Sequence, residues 1–112
     1  MSTKEPFNRV APGVLVAGQL EVSDIDRMVE AGVRTLVCNR PDGEGDQPSS
    51  QTLAAAAEAV GIDFVYLPMA NPEEADKQSD AFKKVLARGG VVLAYCRTGR
   101  RSTALWEAVT KK

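Results

Sequence analysis

Three short, almost wholly apolar runs constrain this chain more than any other feature: Val33-Arg34-Thr35-Leu36-Val37-Cys38, Ile62 to Leu67, and Val91-Val92-Leu93-Ala94-Tyr95. Runs without strict polar alternation suit strands buried on both faces, which occur in parallel sheets covered by helices. The intervening segments supply those helices. Ser23 is expected to cap one that carries Ile25, Met28 and Val29 at helical spacing and stops at Gly32, a left-handed cap. Ser49 or Ser50 caps a second, which ends at Gly61. A third turns Phe82, Val85 and Leu86 inward and ends at Gly89-Gly90, and a fourth begins near Ser102. Phe7 to Val10 and Val14 to Ala17 flank Ala11-Pro12-Gly13 and predict an N-terminal hairpin. The pattern is α/β: a mainly parallel sheet of about four to five strands, helices on both faces, right-handed crossovers.

With 112 residues, 44% of them hydrophobic and 26% charged, the chain is expected to form a single globular domain over 1–112. The opening MSTKEPFNRV holds no apolar run of signal-peptide length, so a cytoplasmic location is expected. Two cysteines and no histidine offer neither a disulfide framework nor a Cys/His zinc site; no metal or cofactor is expected. A net charge of −1 gives no general attraction to nucleic acid or membrane. The charge is unevenly spread, however. Residues 96–112 hold five basic side chains against Glu107 alone, which focuses positive charge beside Cys96.

Ligands of parallel α/β sheets bind at the carboxyl ends of the strands. There the strand ending at Tyr95 runs into Cys96-Arg97-Thr98-Gly99-Arg100-Arg101-Ser102 and then a helix. Gly99 permits the sharp turn, and Cys96 falls at a helix N-terminus, where free N–H groups and three arginines favour an anion. The thiol should therefore ionise below the ~8.5 of a free cysteine. An inert packing cysteine beside a solvated helix start is the plainer account. The ensemble of Cys, Gly, Arg and hydroxyl between strand and helix outweighs it. Cys96 and Arg101 are assigned catalysis, and Arg97, Thr98, Gly99, Arg100 and Ser102 substrate binding.

Gly18-Gln19, the run from Val37 to Glu44, Asp46-Gln47-Pro48, Tyr66-Leu67-Pro68, the loop from Ala94 to Ser102 and Leu105-Trp106 together resemble the phosphatase-like domains of beta-lactamase-hydrolase-like proteins. That resemblance, over roughly residues 7–106, implies a three-layer protein-tyrosine-phosphatase-like fold similar to dual-specificity phosphatases. Phosphatases of this fold carry one residue more between nucleophilic Cys and phosphate-binding Arg than the four separating Cys96 from Arg101. They also place an acidic residue where this chain has Asn71, and histidine where it has Tyr95. Glu73, Glu74 or Asp76 would have to supply the proton instead, although each reads more simply as a helix-start carboxylate. The shorter loop resembles that of rhodanese-like sulfurtransferases, and the family is associated with persulfide metabolism.

The resemblance therefore favours a sulfurtransferase that forms a persulfide on Cys96, with small-molecule or thiol sulfur donors and acceptors. The alternatives are a phosphatase acting on a phosphorylated substrate through a phosphocysteine, and a non-catalytic oxyanion-binding or redox-sensing module. Cys38, at a neighbouring strand end, is either a resolving thiol or a small core residue. Arg40 is a candidate second anion contact, Asp42 a candidate partner for an arginine, and Gln19 a candidate support for the loop. Trp106 is expected to anchor the last helix in the core. Ending at Lys112 is expected to leave part of the sheet or site uncovered, for which a truncated chain and a homodimer are the two accounts.

Overall fold

The computed structural model describes residues 7–110 and holds a five-stranded sheet ordered β1-β2-β5-β3-β4. Strands β1 (Asn8–Ala11) and β2 (Val14–Ala17) form the antiparallel hairpin. The remaining pairs, β2 with β5 (Val91–Tyr95), β5 with β3 (Val33–Cys38) and β3 with β4 (Asp63–Tyr66), are parallel. β5 is thus the central strand, buried along nearly its whole length, as its unbroken apolar sequence requires.

Side-chain alternation divides the core between the two faces of the sheet. On one, Leu36, Cys38, Leu93 and Tyr95 pack under α1 (Ile25–Glu30) and α2 (Ser50–Ala59) through Ile25, Met28, Leu53 and Ala57. On the other, Val37, Val92 and Ala94 meet α3 (Ala75–Ala87) and α4 (Arg100–Thr110) through Phe82, Val85 and Leu105. Trp106 is half-buried against this second cluster. No helix of the described residues is long and apolar enough to cross a membrane.

Local departures from the sequence expectation have simple causes. Ser23 lies inside a 3-10 turn, Val22–Asp24, and the start is closed by Glu21 and Asp24, whose carboxylate accepts the Glu21 N–H at 2.8 Å. Helix α1 has only six residues, so Ile25 and Met28 fill its inward face and Val29 is left 50% exposed. Ser49 caps α2 as anticipated, its Oγ accepting the Thr52 N–H at 3.1 Å. Helix α4 begins at Arg100, two residues early, which brings Ser102 inside its first turn.

The hairpin approaches the segment after β5 without any side chain between them. A Cβ at Gly18 would lie 3.0 Å from the Arg97 carbonyl oxygen. Gly18→Val is therefore expected to force β2 and the loop apart at a cost of about 1–3 kcal/mol. Urea titration checks this, and an unchanged unfolding free energy would show that the contact gives way freely.

Candidate active site

Strand β5 delivers Cys96 to the carboxyl edge of the sheet, and two neighbouring strands hold the loop that follows. The Cys96 N–H donates to Ala17 O at 3.2 Å, and the Gln19 N–H donates to Arg97 O at 3.1 Å. From the other side, the Asn39 N–H donates to Tyr95 O at 2.8 Å. Gly99, at φ +93°, turns the chain into α4 where a side chain would be strained.

The thiol of Cys96 is fully enclosed and sits within the loop's N–H groups, with Gly99 N–H at 3.1 Å from Sγ. Burial works to raise its pKa, but the N–H groups of Ser102, Thr98, Arg101 and Gly99 outweigh that and leave it lowered. Cys38 is its opposite. Burial raises that thiol, which donates to Arg40 O at 3.3 Å and packs with Tyr95 under α1 and α2. Burial likewise drives the Tyr95 hydroxyl far up, out of any useful titration range. Both cysteines are free.

Arg101 is fixed by a carboxylate that the sequence did not single out. Glu44 accepts from its Nη1 at 2.7 Å and its Nη2 at 2.9 Å, and Met69 O accepts from Nη1 at 2.8 Å. These bonds occupy the guanidinium's far end, so the edge carrying Nε and the second Nη2 proton stays available to an anion. The ion pair with Arg101 holds Glu44 below the usual carboxylate range, and Glu44 in turn raises Arg101. Glu44 Oε1 also accepts from Arg40 Nε at 3.0 Å, while Arg40 Nη1 donates to Gln19 Oε1 at 3.0 Å.

Arg40, Arg97 and Arg101 line one cavity of about 530 Å³ together with Glu44, Gly45 and Asp46. Thr98, Gly99 and Arg100 face another, of about 920 Å³, between the hairpin and α4. The loop is therefore a wall between two spaces, and its assigned binding residues do not all converge on one. Ser102 is fully buried, and its hydroxyl donates to Asn39 Oδ1 at 2.8 Å, so it serves the site through its N–H.

Other expectations are corrected. Asp42 orients no arginine; its carboxylate accepts from the Ser50 N–H and Oγ, both at 2.7 Å, at the start of α2. The Gln19 side chain supports Arg40 and only its main chain holds the loop. Glu74 accepts from the Ala70 N–H at 2.6 Å, bracing its own turn instead of facing the arginines. Asn39 was missed. Its Nδ2 donates to Leu67 O at 2.8 Å, linking β4 to the loop through Ser102. The available signal was a polar residue directly after a buried strand, at the edge where α/β sites form.

This arrangement of thiol, inward N–H groups and paired arginine coincides with a sequence match over residues 6–111 to the family described as "Beta-lactamase hydrolase-like protein, phosphatase-like domain". The chain belongs to this family. A beta-lactamase hydrolase-like protein of Agrobacterium fabrum is 30% identical over 100 residues, covering 88% of this chain and 23% of the relative. The chain therefore spans less than a quarter of that relative's length. A crystallised Neisseria meningitidis protein, named as a candidate phosphatase, is 27% identical with a TM-score of 0.82, covering 93% of this chain and 75% of that one. A mouse protein named as a candidate dual-specificity phosphatase superposes at a TM-score of 0.63 with 23% identity, covering 97% and 66%, a likeness of fold.

Asn39→Ala leaves Leu67 O and the Ser102 hydroxyl unpaired, each worth about 1–3 kcal/mol when buried. It should also loosen the Ser102 N–H that lowers the Cys96 pKa. Alkylation of Cys96 followed against pH is expected to show a native midpoint below ~8.5 and an upward shift in the variant. An unshifted midpoint would remove Asn39 from the site.

Proposed function

We propose that the protein is a cysteine-dependent phosphatase of the dual-specificity type, working through a phosphocysteine on Cys96. The observation that carries this reading is the set of N–H groups converging on Cys96 Sγ beside the open edge of Arg101. The family and the named phosphatase neighbour support it. The Cys96 thiolate attacks phosphorus, the ester P–O bond breaks, and its electron pair leaves with the oxygen. Loop N–H groups and Arg101 stabilise the equatorial oxygens. Water then attacks the phosphocysteine, releasing phosphate and restoring the thiolate.

The leaving oxygen needs a proton. Asn71 cannot give one, Glu44 is bound to two arginines, and Glu74 is tied to Ala70. Asp46 is the one carboxyl lining the arginine cavity that makes no hydrogen bond or ion pair among the described residues. It is assigned the proton transfer. Asp46→Asn should slow hydrolysis of alkyl phosphates, whose leaving oxygen is basic, by about 10²–10⁴-fold, and of activated aryl phosphates far less. Equal losses on both substrates would reject this role.

A second reading, sulfur transfer, is favoured by the one-residue-shorter loop and by Asn71 in place of an acid. In it the Cys96 thiolate attacks the outer sulfur of thiosulfate, the S–S bond breaks, and sulfite departs with the electron pair, needing no proton. An acceptor thiolate then removes the outer sulfur. Intact mass separates the two. A phosphoryl adduct on Cys96 after acid quenching, with turnover lost in Cys96→Ser, is the expected result; one added sulfur with no phosphate release would transfer the assignment to sulfur chemistry.

A further inference from the structure

One anionic group is enough for the Cys96 loop and the open edge of Arg101, and the cavity that Arg97 and Arg101 line beside that loop holds further cationic capacity. The Arg40 side chain is only 9% exposed, with Nε on Glu44 and Nη1 on Gln19. Its Nη2 makes no hydrogen bond among the described residues and lies beside Gly45 on the cavity wall; a Cβ there would stand 3.2 Å from it. A guanidinium fixed by two partners has already lost its rotamer freedom, so a ligand reaching Nη2 meets a preorganised donor pair.

The charge around it agrees. Arg40, Arg97 and Arg101 face Glu44 and Asp46, and Glu44 is already shared between two of the arginines. Arg97 is exposed and forms no ion pair among the described residues. Neither an aromatic nor an aliphatic side chain lines the cavity, so an aryl group would gain nothing by packing there.

We propose that the substrate is a compact, non-aromatic molecule or side chain bearing a second anionic group, a carboxylate or phosphate, a few bonds from the reacting one. Arg40 Nη2 and Arg97 read that group, and Gly45 keeps the approach to Nη2 open. The inference rests on the assignment of Cys96 as the reacting centre. It does not depend on which group Cys96 transfers.

Protection of Cys96 against iodoacetamide tests it without turnover. The probes are inorganic phosphate and methylphosphonate as single anions, and pyrophosphate and phosphonoacetate as paired ones. Paired anions are expected to protect at concentrations about tenfold lower, the share of one charge-assisted contact. In Arg40→Gln that advantage should fall toward unity. Gly45→Val places bulk against Nη2 while keeping the Arg40 side chain and its bonds to Glu44 and Gln19 in the protein, and should do the same where Arg40→Gln folds poorly. Equal protection by single and paired anions in the native protein, or an advantage that survives Gly45→Val, would overturn the proposal. A preserved advantage in a protein that releases no phosphate would instead overturn only the phosphatase assignment.

Discussion

The loop after β5 is pinned from both neighbouring strands, and the chemistry of the site follows from how its peptide planes are thereby turned. A trans peptide points its C=O and the next N–H in opposite directions. Arg97 O is drawn outward by the Gln19 N–H, so the Thr98 N–H of the same peptide is turned inward, toward Cys96 Sγ. This is why Gly18 matters beyond its own turn. Its missing Cβ lets β2 come close enough for that outward bond, and the bond aims an N–H at the sulfur.

Electrostatics adds a second constraint. Arg40 and Arg101 are held near one another only because Glu44 lies between them, accepting from both. Two partly buried guanidinium groups without it would repel and remain unpaired. The pairing also selects geometry. Glu44 takes Arg101 by its far end and Arg40 through Nε, so each arginine keeps a defined set of free donors toward the cavity. A carboxylate among these arginines thus organises the cations while removing only part of their charge.

The chain's architecture was legible because it rests on local signals. Unbroken apolar strands, a Ser49 cap and glycine stops fix element type within a few residues, and β3 and β5 match the apolar runs at both ends. The loop around Cys96 was equally readable, since strand, Cys, Gly, Arg and helix are contiguous. Glu44, Gly45 and Asn39 were not. Their roles depend on partners such as Arg101, 57 residues away from Glu44, and Ser102, 63 away from Asn39. Asp42 shows the converse error: a carboxylate near arginines in sequence found the Ser50 N–H at a helix start closer and better placed. Thr98 and Arg100 turned to a different cavity because successive residues of a tight loop cannot all face one side.

The short loop bears differently on function once its geometry is considered. With one residue fewer, α4 starts at Arg100 and the first turn of the helix already includes Ser102, whose hydroxyl is committed to Asn39. What remains for a bound anion is the N–H set of Thr98, Gly99, Arg101 and Ser102 plus two free guanidinium protons of Arg101. Three phosphoryl oxygens can each draw on this set, so the contraction does not by itself exclude phosphoryl chemistry. It does change where the stabilisation comes from. A shorter ring must rely more on side chains held from outside, and the Glu44-clamped arginines are placed to supply that share. Persulfide formation leaves one anionic sulfur on Cys96, but thiosulfate itself arrives as a doubly charged oxyanion and can draw on the same donors. Arg40, Arg97 and Arg101 on one cavity therefore match a multiply charged oxyanion, phosphate ester or thiosulfate alike, and bear on the charge of what approaches more than on the atom that Cys96 transfers.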